Sequence, residues 1–331
     1  MEHLLDVEKI VYILKIWNVT QRADKQFRMC KFCPVSSQCN WSEDKKNHLL
    51  KIGISEGLDM MKIGNRLFDV EQDCYIMGIL NVTPDSFSDG GRWNDLGRAK
   101  QHVADMIEEG ASIIDVGGES TRPGHVQITI AEEIDRVVPM IEMIKANFDI
   151  PVSIDSYKGP VVEAALKAGA DMVNDIWGLK YDRKVADLIA QYQVPCCLMH
   201  NRDNTQYENF VEEMCQDLRE SVAIAKEANI QDEQIILDPG VGFGKLYEHN
   251  LMAIHHLEKL KEIGYPVLLA TSRKSVIGLT LDLPSDERVE GTVVTTVMGV
   301  EKGAAFVRVH DVKENLRAIR MTQAILRECK G

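Results

Sequence analysis

Asn81, Asp115, Asp155, Asn174, His200, Asp238, the run Ser272-Arg273-Lys274 and the pair Arg308 and His310 share one property: each ends or directly follows a short apolar run. Taken singly, such a residue is an ordinary helix cap or turn former, as Asp155 before Ser156 and Asn174 before Asp175 illustrate. Eight such positions in register are harder to obtain from capping alone. Asp115, Asp155 and Asp238 offer acceptors and Asn174 adds amide donors, a set suited to the edge of a flat nitrogen heterocycle rich in N–H groups. Lys274 contributes a point cation and Arg308 a planar one that can also stack on a flat ring. Arg308 and His310 stand two residues apart, on one side of an extended segment. With Asn81 they form a group suited to an anion or a metal-bound phosphate. Glycoside hydrolysis also uses paired carboxylates, but it calls for a Glu acid and aromatic platforms. Aromatic residues make up only 6% of the chain and these positions carry no Glu, so that chemistry is excluded.

Those side chains need a frame that brings eight run ends together. Apolar runs at 75–80, 112–116, 152–154, 172–173, 196–199, 235–237, 267–270 and 305–309 alternate with helical patterns at 96–109, 130–146, 158–168, 184–191, 210–228, 251–263 and 289–302. Strands alternating with helices, without hairpins between them, predict a parallel sheet. Eight units over about 250 residues fit a closed (β/α)8 TIM barrel, whose strand C-termini ring one mouth. Gly110, Gly169, Gly264 and Gly303 supply the expected helix stops. Ahead of the barrel, 62–73 has the pattern of a short polar hairpin turning at Gly64-Asn65.

Residues 1–58 differ from the rest and are expected to form an N-terminal helical, cysteine-containing extension to a barrel spanning 62–331. Val7, Ile10, Val11, Leu14 and Trp17 recur at helical spacing. Cys30-x-x-Cys33 with Cys39 and a following His48 could complete a tetrahedral zinc site, or the thiols could hold an iron–sulfur cluster; the alternative is a set of surface or packing thiols. The chain has eight cysteines in all, too sparse for a disulfide scaffold, and Cys196-Cys197 sit in an apolar run as small buried hydrophobes.

Two segments are long for loops of a barrel: Asn81-Val-Thr-Pro-Asp-Ser-Phe-Ser-Asp-Gly-Gly91 and Gly117-Gly-Glu-Ser-Thr-Arg-Pro-Gly124. They are either polar surface loops or lids over the mouth. Gly240-Val-Gly-Phe-Gly-Lys245 superficially suggests a triphosphate loop but fails that pattern, because Leu246 stands where a magnesium-binding Ser or Thr belongs.

The 331 residues carry 38 basic and 51 acidic side chains, a net charge of −13. That balance argues against nucleic acid or an anionic membrane as partner. No apolar run approaches the ~18 residues of a membrane span. Glu2, Asp6 and Glu8 leave no cationic lead into an apolar stretch, so no secretory signal is expected and the setting is cytoplasmic.

The motifs beginning at Asn81 and at Asp115, with Asp238-Pro-Gly-Val-Gly-Phe-Gly-Lys245 and Ser272-Arg-Lys-Ser275, together resemble the dihydropteroate synthase family over about 62–331. That resemblance implies a magnesium-dependent transferase of folate biosynthesis, condensing 6-hydroxymethyl-7,8-dihydropterin pyrophosphate with p-aminobenzoate to 7,8-dihydropteroate and pyrophosphate. It implies that Asp155, Asn174, Asp238 and Lys274 hold the pterin, with Asp115 nearby and Arg308 stacked on the ring. Asn81, Arg308 and His310 would receive the pyrophosphate, Asn81 through Mg2+. Thr121, Arg122, Pro123, Phe243, Lys274 and Ser275 would shape the p-aminobenzoate pocket, where sulfonamides would compete. Asp115, Lys274 and Arg308 are the expected catalytic residues, and a homodimer is expected. A methyltransferase barrel acting on a folate would share Asp155, Asn174 and Asp238 but not the two long loops. Asn201-Arg202 departs from the Met-Arg of many relatives, in a region expected to lie away from the transferred group.

Overall fold

The computed structural model describes residues 60–82, 91–119 and 127–328, with 91–95 as helical backbone alone. The chain divides into two units, Met1–Ile54 and Ser55–Gly331, and the description concerns the second. The expected helix at 7–17, the residues Cys30, Cys33, Cys39 and His48, and the loop residues Thr121, Arg122 and Pro123 lie outside the described residues.

Strands β1 (Met60–Ile63) and β2 (Arg66–Asp69) form the expected hairpin, turning where Gly64 takes φ +58°. The barrel follows as β3 (Tyr75–Asn81), α1 (Gly91–Glu109), β4 (Ile113–Gly117), α2 (Ile130–Asn147), β5 (Val152–Asp155), α3 (Gly159–Lys167), β6 (Met172–Asp175), α4 (Lys184–Tyr192), β7 (Cys196–Met199) and α5 (Phe210–Glu227). It continues with β8 (Ile235–Asp238), α6 (Tyr247–His255), α7 (Glu258–Lys261), β9 (Leu268–Leu269), α8 (Ser275–Leu281), α9 (Val289–Glu301), β10 (Phe306–Val309) and α10 (Val312–Glu328). The parallel order β8-β7-β6-β5-β4-β3-β10-β9 closes through the Leu237–Val267 bridge, so the sheet is a TIM barrel of eight strands. The short helix α8 and the C-terminal α10 add to the helices read from periodicity. The single segment expected at 251–263 is instead two helices beginning at Tyr247, and the seventh strand shrinks to two residues.

Period-2 alternation places the functional layer. In β4, Ile114 and Val116 pack outward with the helices, whereas Ile113 turns into the barrel with Met77, Met172, Cys197, Ile236, Leu268 and Phe306. These interior residues form an apolar floor, completed by the hairpin's Met61, Ile63 and Phe68. Each fully buried aliphatic or aromatic side chain there contributes about 1.5–3 kcal/mol. A residue two positions beyond a floor residue shares its face. Asp115 follows Ile113, Asn174 follows Met172, Asp238 follows Ile236 and Arg308 follows Phe306 by that interval. The carboxylates are therefore a second layer stacked on an apolar one. At the opposite end, a cleft of 260 Å³ lies between residues 70–74 and α10. Its Lys261–Glu71 and Arg327–Asp73 pairs, at 3.0 and 2.6 Å, already satisfy one another.

Candidate active site

Register places Asn81, Gly117, Asp155 and Asn174 side by side across β3, β4, β5 and β6. Asp115 precedes Gly117 by two residues on β4 and is fully buried. Across the barrel, Arg308 Nε donates to Asp115 Oδ2 at 2.6 Å and Nη2 donates to Asp155 Oδ2 at 2.7 Å. Asn174 Nδ2 donates to the same Asp115 oxygen at 3.3 Å. One guanidinium thus fixes two carboxylates, and they fix its plane. Each carboxylate keeps its other oxygen buried without a donor among the described residues: Asp115 Oδ1 and Asp155 Oδ1. Burial raises the Asp155 pKa, opposed by Arg308. Burial also raises Asp238, which accepts from Gly240 N–H at 2.6 Å and is countered by Lys274.

Lys274 reaches this layer from the turn after β9. Arg273 takes φ +57° and turns its side chain away to Asp311, with Nε donating to Oδ2 at 2.9 Å. The next residue is thereby aimed inward: Lys274 Nζ donates to Val241 O at 2.5 Å and lies 4.9 Å from the centre of the Phe243 ring. Burial lowers its pKa to about 8. His310 Nδ1 stands 2.9 Å from Ser272 Oγ, which also accepts from the His310 N–H at 3.1 Å. The hydroxyl donates to Nδ1 when the ring carries its proton on Nε2 and accepts from it in the other tautomer. Ser275 is exposed at the start of α8.

One part of the expected ring is reassigned. His200 stands one residue past Met199 and so faces the helix layer, where its ring is fully buried against Asp217 of α5, Nε2 to Oδ2 at 3.0 Å. Asp175 likewise turns outward and accepts from Trp177 and Leu179 N–H, each at 2.8 Å, as a turn former. Arg202 lies against the 240–245 loop. A Cβ on Gly244, at φ +54°, would meet Arg202 O at 2.5 Å, and one on Gly240, at φ +66°, would meet His200 O at 1.9 Å. Those glycines let one backbone lie flat on another, which is their purpose in a motif that resembles a phosphate loop.

Sequence reasoning missed the groups behind the ring. Lys158 Nζ pairs with Glu119 at 2.7 Å and Glu133 at 2.8 Å in a nearly dry cluster. Glu119 Oε2 also accepts from Ile128 N–H at 2.9 Å, so it joins the two stems of the 120–126 segment. Lys245 was visible as the last residue of the 238–245 motif, but no role was read for it.

A closed parallel barrel carries its catalytic groups at the C-terminal mouth, where this one holds a carboxylate-lined layer, and the Pterin binding enzyme family profile matches residues 77–310. The dihydropteroate synthase of Clostridium beijerinckii is 61% identical over 81% of this chain and 100% of its own length; that of Bacillus subtilis is 52% identical over 76% and 88%. A solved dihydropteroate synthase from Xanthomonas albilineans with 4-aminobenzoic acid superposes with TM-score 0.77 at 39% identity, covering 82% of this chain and 99% of that one. The chain belongs to the dihydropteroate synthase family and is a transferase of folate biosynthesis.

Proposed function

We propose that the mouth of the barrel binds 6-hydroxymethyl-7,8-dihydropterin pyrophosphate and joins its methylene carbon to p-aminobenzoate, releasing pyrophosphate. The observation that carries this reading is the pair of donor-less buried oxygens on Asp115 and Asp155. An unsatisfied buried acceptor costs about 1–3 kcal/mol, and a pterin edge rich in N–H groups relieves that cost. Asp155, Asn174 and Asp238 bind that edge, Lys274 adds a donor, and Arg308, its plane fixed by two carboxylates, stacks on the ring. Asn81, Arg308 and His310 receive the pyrophosphate, while Phe243, Lys274 and Ser275, with Thr121, Arg122 and Pro123, border the arylamine.

Asn81 would hold Mg2+ through its side-chain carbonyl. The donor set fits: Mg2+ is ordinarily held by one or two protein oxygens, substrate phosphates and water. Gly117 leaves room there, since a Cβ on it would come within 3.7 Å of Asn81 Oδ1 and 3.6 Å of Asp155 Oδ2. When bound, the ion neutralises charge on the departing pyrophosphate. The carbon–oxygen bond to pyrophosphate breaks first, and Asp115, held by Arg308, offsets the positive charge that develops on the pterin methylene. The arylamine nitrogen then forms the new bond and loses a proton.

The same reading takes residues 1–58 as an appended segment with Cys30, Cys33, Cys39 and His48 as candidate zinc or iron–sulfur ligands, and 62–331 as the barrel. It takes the enzyme as a cytoplasmic homodimer. Exposed Val294 on α9 and Met321 and Ile325 on α10, two helices that pack together, support the dimer. Elemental analysis of the full chain and sedimentation test these two points. For the reaction, purified protein is given both substrates with and without Mg2+. Dihydropteroate and pyrophosphate appearing together, dependent on all three, is the expected result; pterin binding without product rejects the synthase reading.

A further inference from the structure

The glycine-rich turn that follows β8 is gripped by two lysines from opposite sides. Lys274 takes Val241 O, as described above. On the other side Lys245 Nζ lies 2.9 Å from Gly240 O, 2.9 Å from Phe243 O and 2.7 Å from His200 Nδ1, with His200 O more distant at 3.3 Å. An ammonium has three protons, and the three shortest acceptors use all of them. Because Nδ1 accepts, the neutral His200 ring carries its proton on Nε2 and donates it to Asp217 Oδ2, which also accepts from Arg202 Nε at 2.6 Å. Burial lowers the His200 pKa to about 4, which keeps the ring neutral. Lys245 thus ties the end of β7, and through His200 helix α5, to the carbonyl of Phe243. The Phe243 ring packs against the Tyr157, Ile176 and Met199 cluster on one side and meets Lys274 on the other.

We propose that Lys245 is a positioning residue for the arylamine substrate: through the Phe243 carbonyl and the His200–Asp217 pair it fixes the Phe243 ring and the Val241 carbonyl that aims Lys274. The inference rests on the proposed synthase reaction. Lys245 touches neither Asp115, Asp155, Asn174 nor Arg308; the pterin layer feels the turn only at its margin, through the Gly240 N–H on Asp238 and the Val241 carbonyl on Lys274, whereas the Phe243 wall hangs on the turn directly.

The test is Lys245→Met in the full-length enzyme, which keeps the stem and removes the three donors. A misplaced subsite wall is expected to raise KM for p-aminobenzoate by about tenfold or more, several times the accompanying change in the calorimetric Kd for the pterin pyrophosphate. A merely structural role would lower the melting temperature without that split. Unchanged KM for p-aminobenzoate, or a fall in kcat with both affinities unmoved, overturns the assignment. Should Lys245→Met not fold, Asp217→Asn slackens the same chain from its far end. It is expected to raise the same KM by about threefold, and an unmoved KM again overturns the proposal. Absence of turnover in the unaltered chain rejects the synthase reading itself; turnover with an unmoved KM in the variants rejects only the role given to Lys245.

Discussion

Replacing Asp115 by Asn separates binding from catalysis at this site. Two donors converge on Asp115 Oδ2, Arg308 Nε at 2.6 Å and Asn174 Nδ2 at 3.3 Å. The amide oxygen of Asn must therefore occupy that position, and its NH2 group takes the place of Oδ1. The variant fits the same volume but presents a neutral donor where the parent presents a charged acceptor. In the ground state the pterin methylene is neutral, and the loss amounts to one hydrogen bond among several, about 1 kcal/mol or roughly fivefold in Kd. As pyrophosphate departs the methylene becomes cationic, and the missing charge is felt in full. Removal of one preorganised electrostatic group of this kind costs about 2.7–4 kcal/mol, or 10²–10³ in kcat. Arg308 keeps Asp155 as partner, so the fold is retained, and a melting curve serves as control. The assay pairs steady-state kcat with calorimetric Kd for the pterin pyrophosphate. A kcat within about threefold of the parent refutes the role given to Asp115, because a loss confined to affinity means uniform binding rather than transition-state stabilisation.

Other perturbations test other parts of the same layer. Arg308→Met leaves two buried carboxylates facing one another and should cost about 3–5 kcal/mol at pH 8. Since burial raises the Asp155 pKa above its unfolded value, the folded variant binds a proton that the unfolded chain does not, and stability should recover as pH falls; urea unfolding at pH 5.5 and 8 checks the sign. Lys274 has a pKa near 8, so kcat/KM should decline as pH rises through that value and the ammonium is lost; in Lys274→Met that limb should vanish from the pH–rate profile, leaving a uniformly lower rate. Gly240→Ala places a Cβ 1.9 Å from His200 O at φ +66°, which should destabilise by at least about 2 kcal/mol in denaturant unfolding.

Much of this site was legible in one dimension because a barrel strand converts sequence spacing into depth. Ile113 and Asp115, or Phe306 and Arg308, are two apart, so an apolar floor residue announces the polar layer above it. The same rule, applied one residue further, would have removed His200 from the ring: it follows Met199 by an odd step and turns to the helices. What spacing does not carry is partnership across the barrel. Nothing local marks Arg308 as the donor shared by Asp115 and Asp155, which are 193 and 153 residues away in sequence. Nor does it reveal that the glycines at 240 and 244 serve backbone contact with 200–202 and not a phosphate. The first is a product of ring closure, which brings β10 beside β3; the second comes from the parallel pairing of β7 with β8, which sets the loop after β8 on the end of β7. The positions that line the pocket are therefore written along each strand, whereas the groups that hold them at their working angles are set by which strands become neighbours. Lys245 belongs to the second kind: its three acceptors lie at His200, Gly240 and Phe243, and it is the pairing of β7 with β8 that brings the first to the other two.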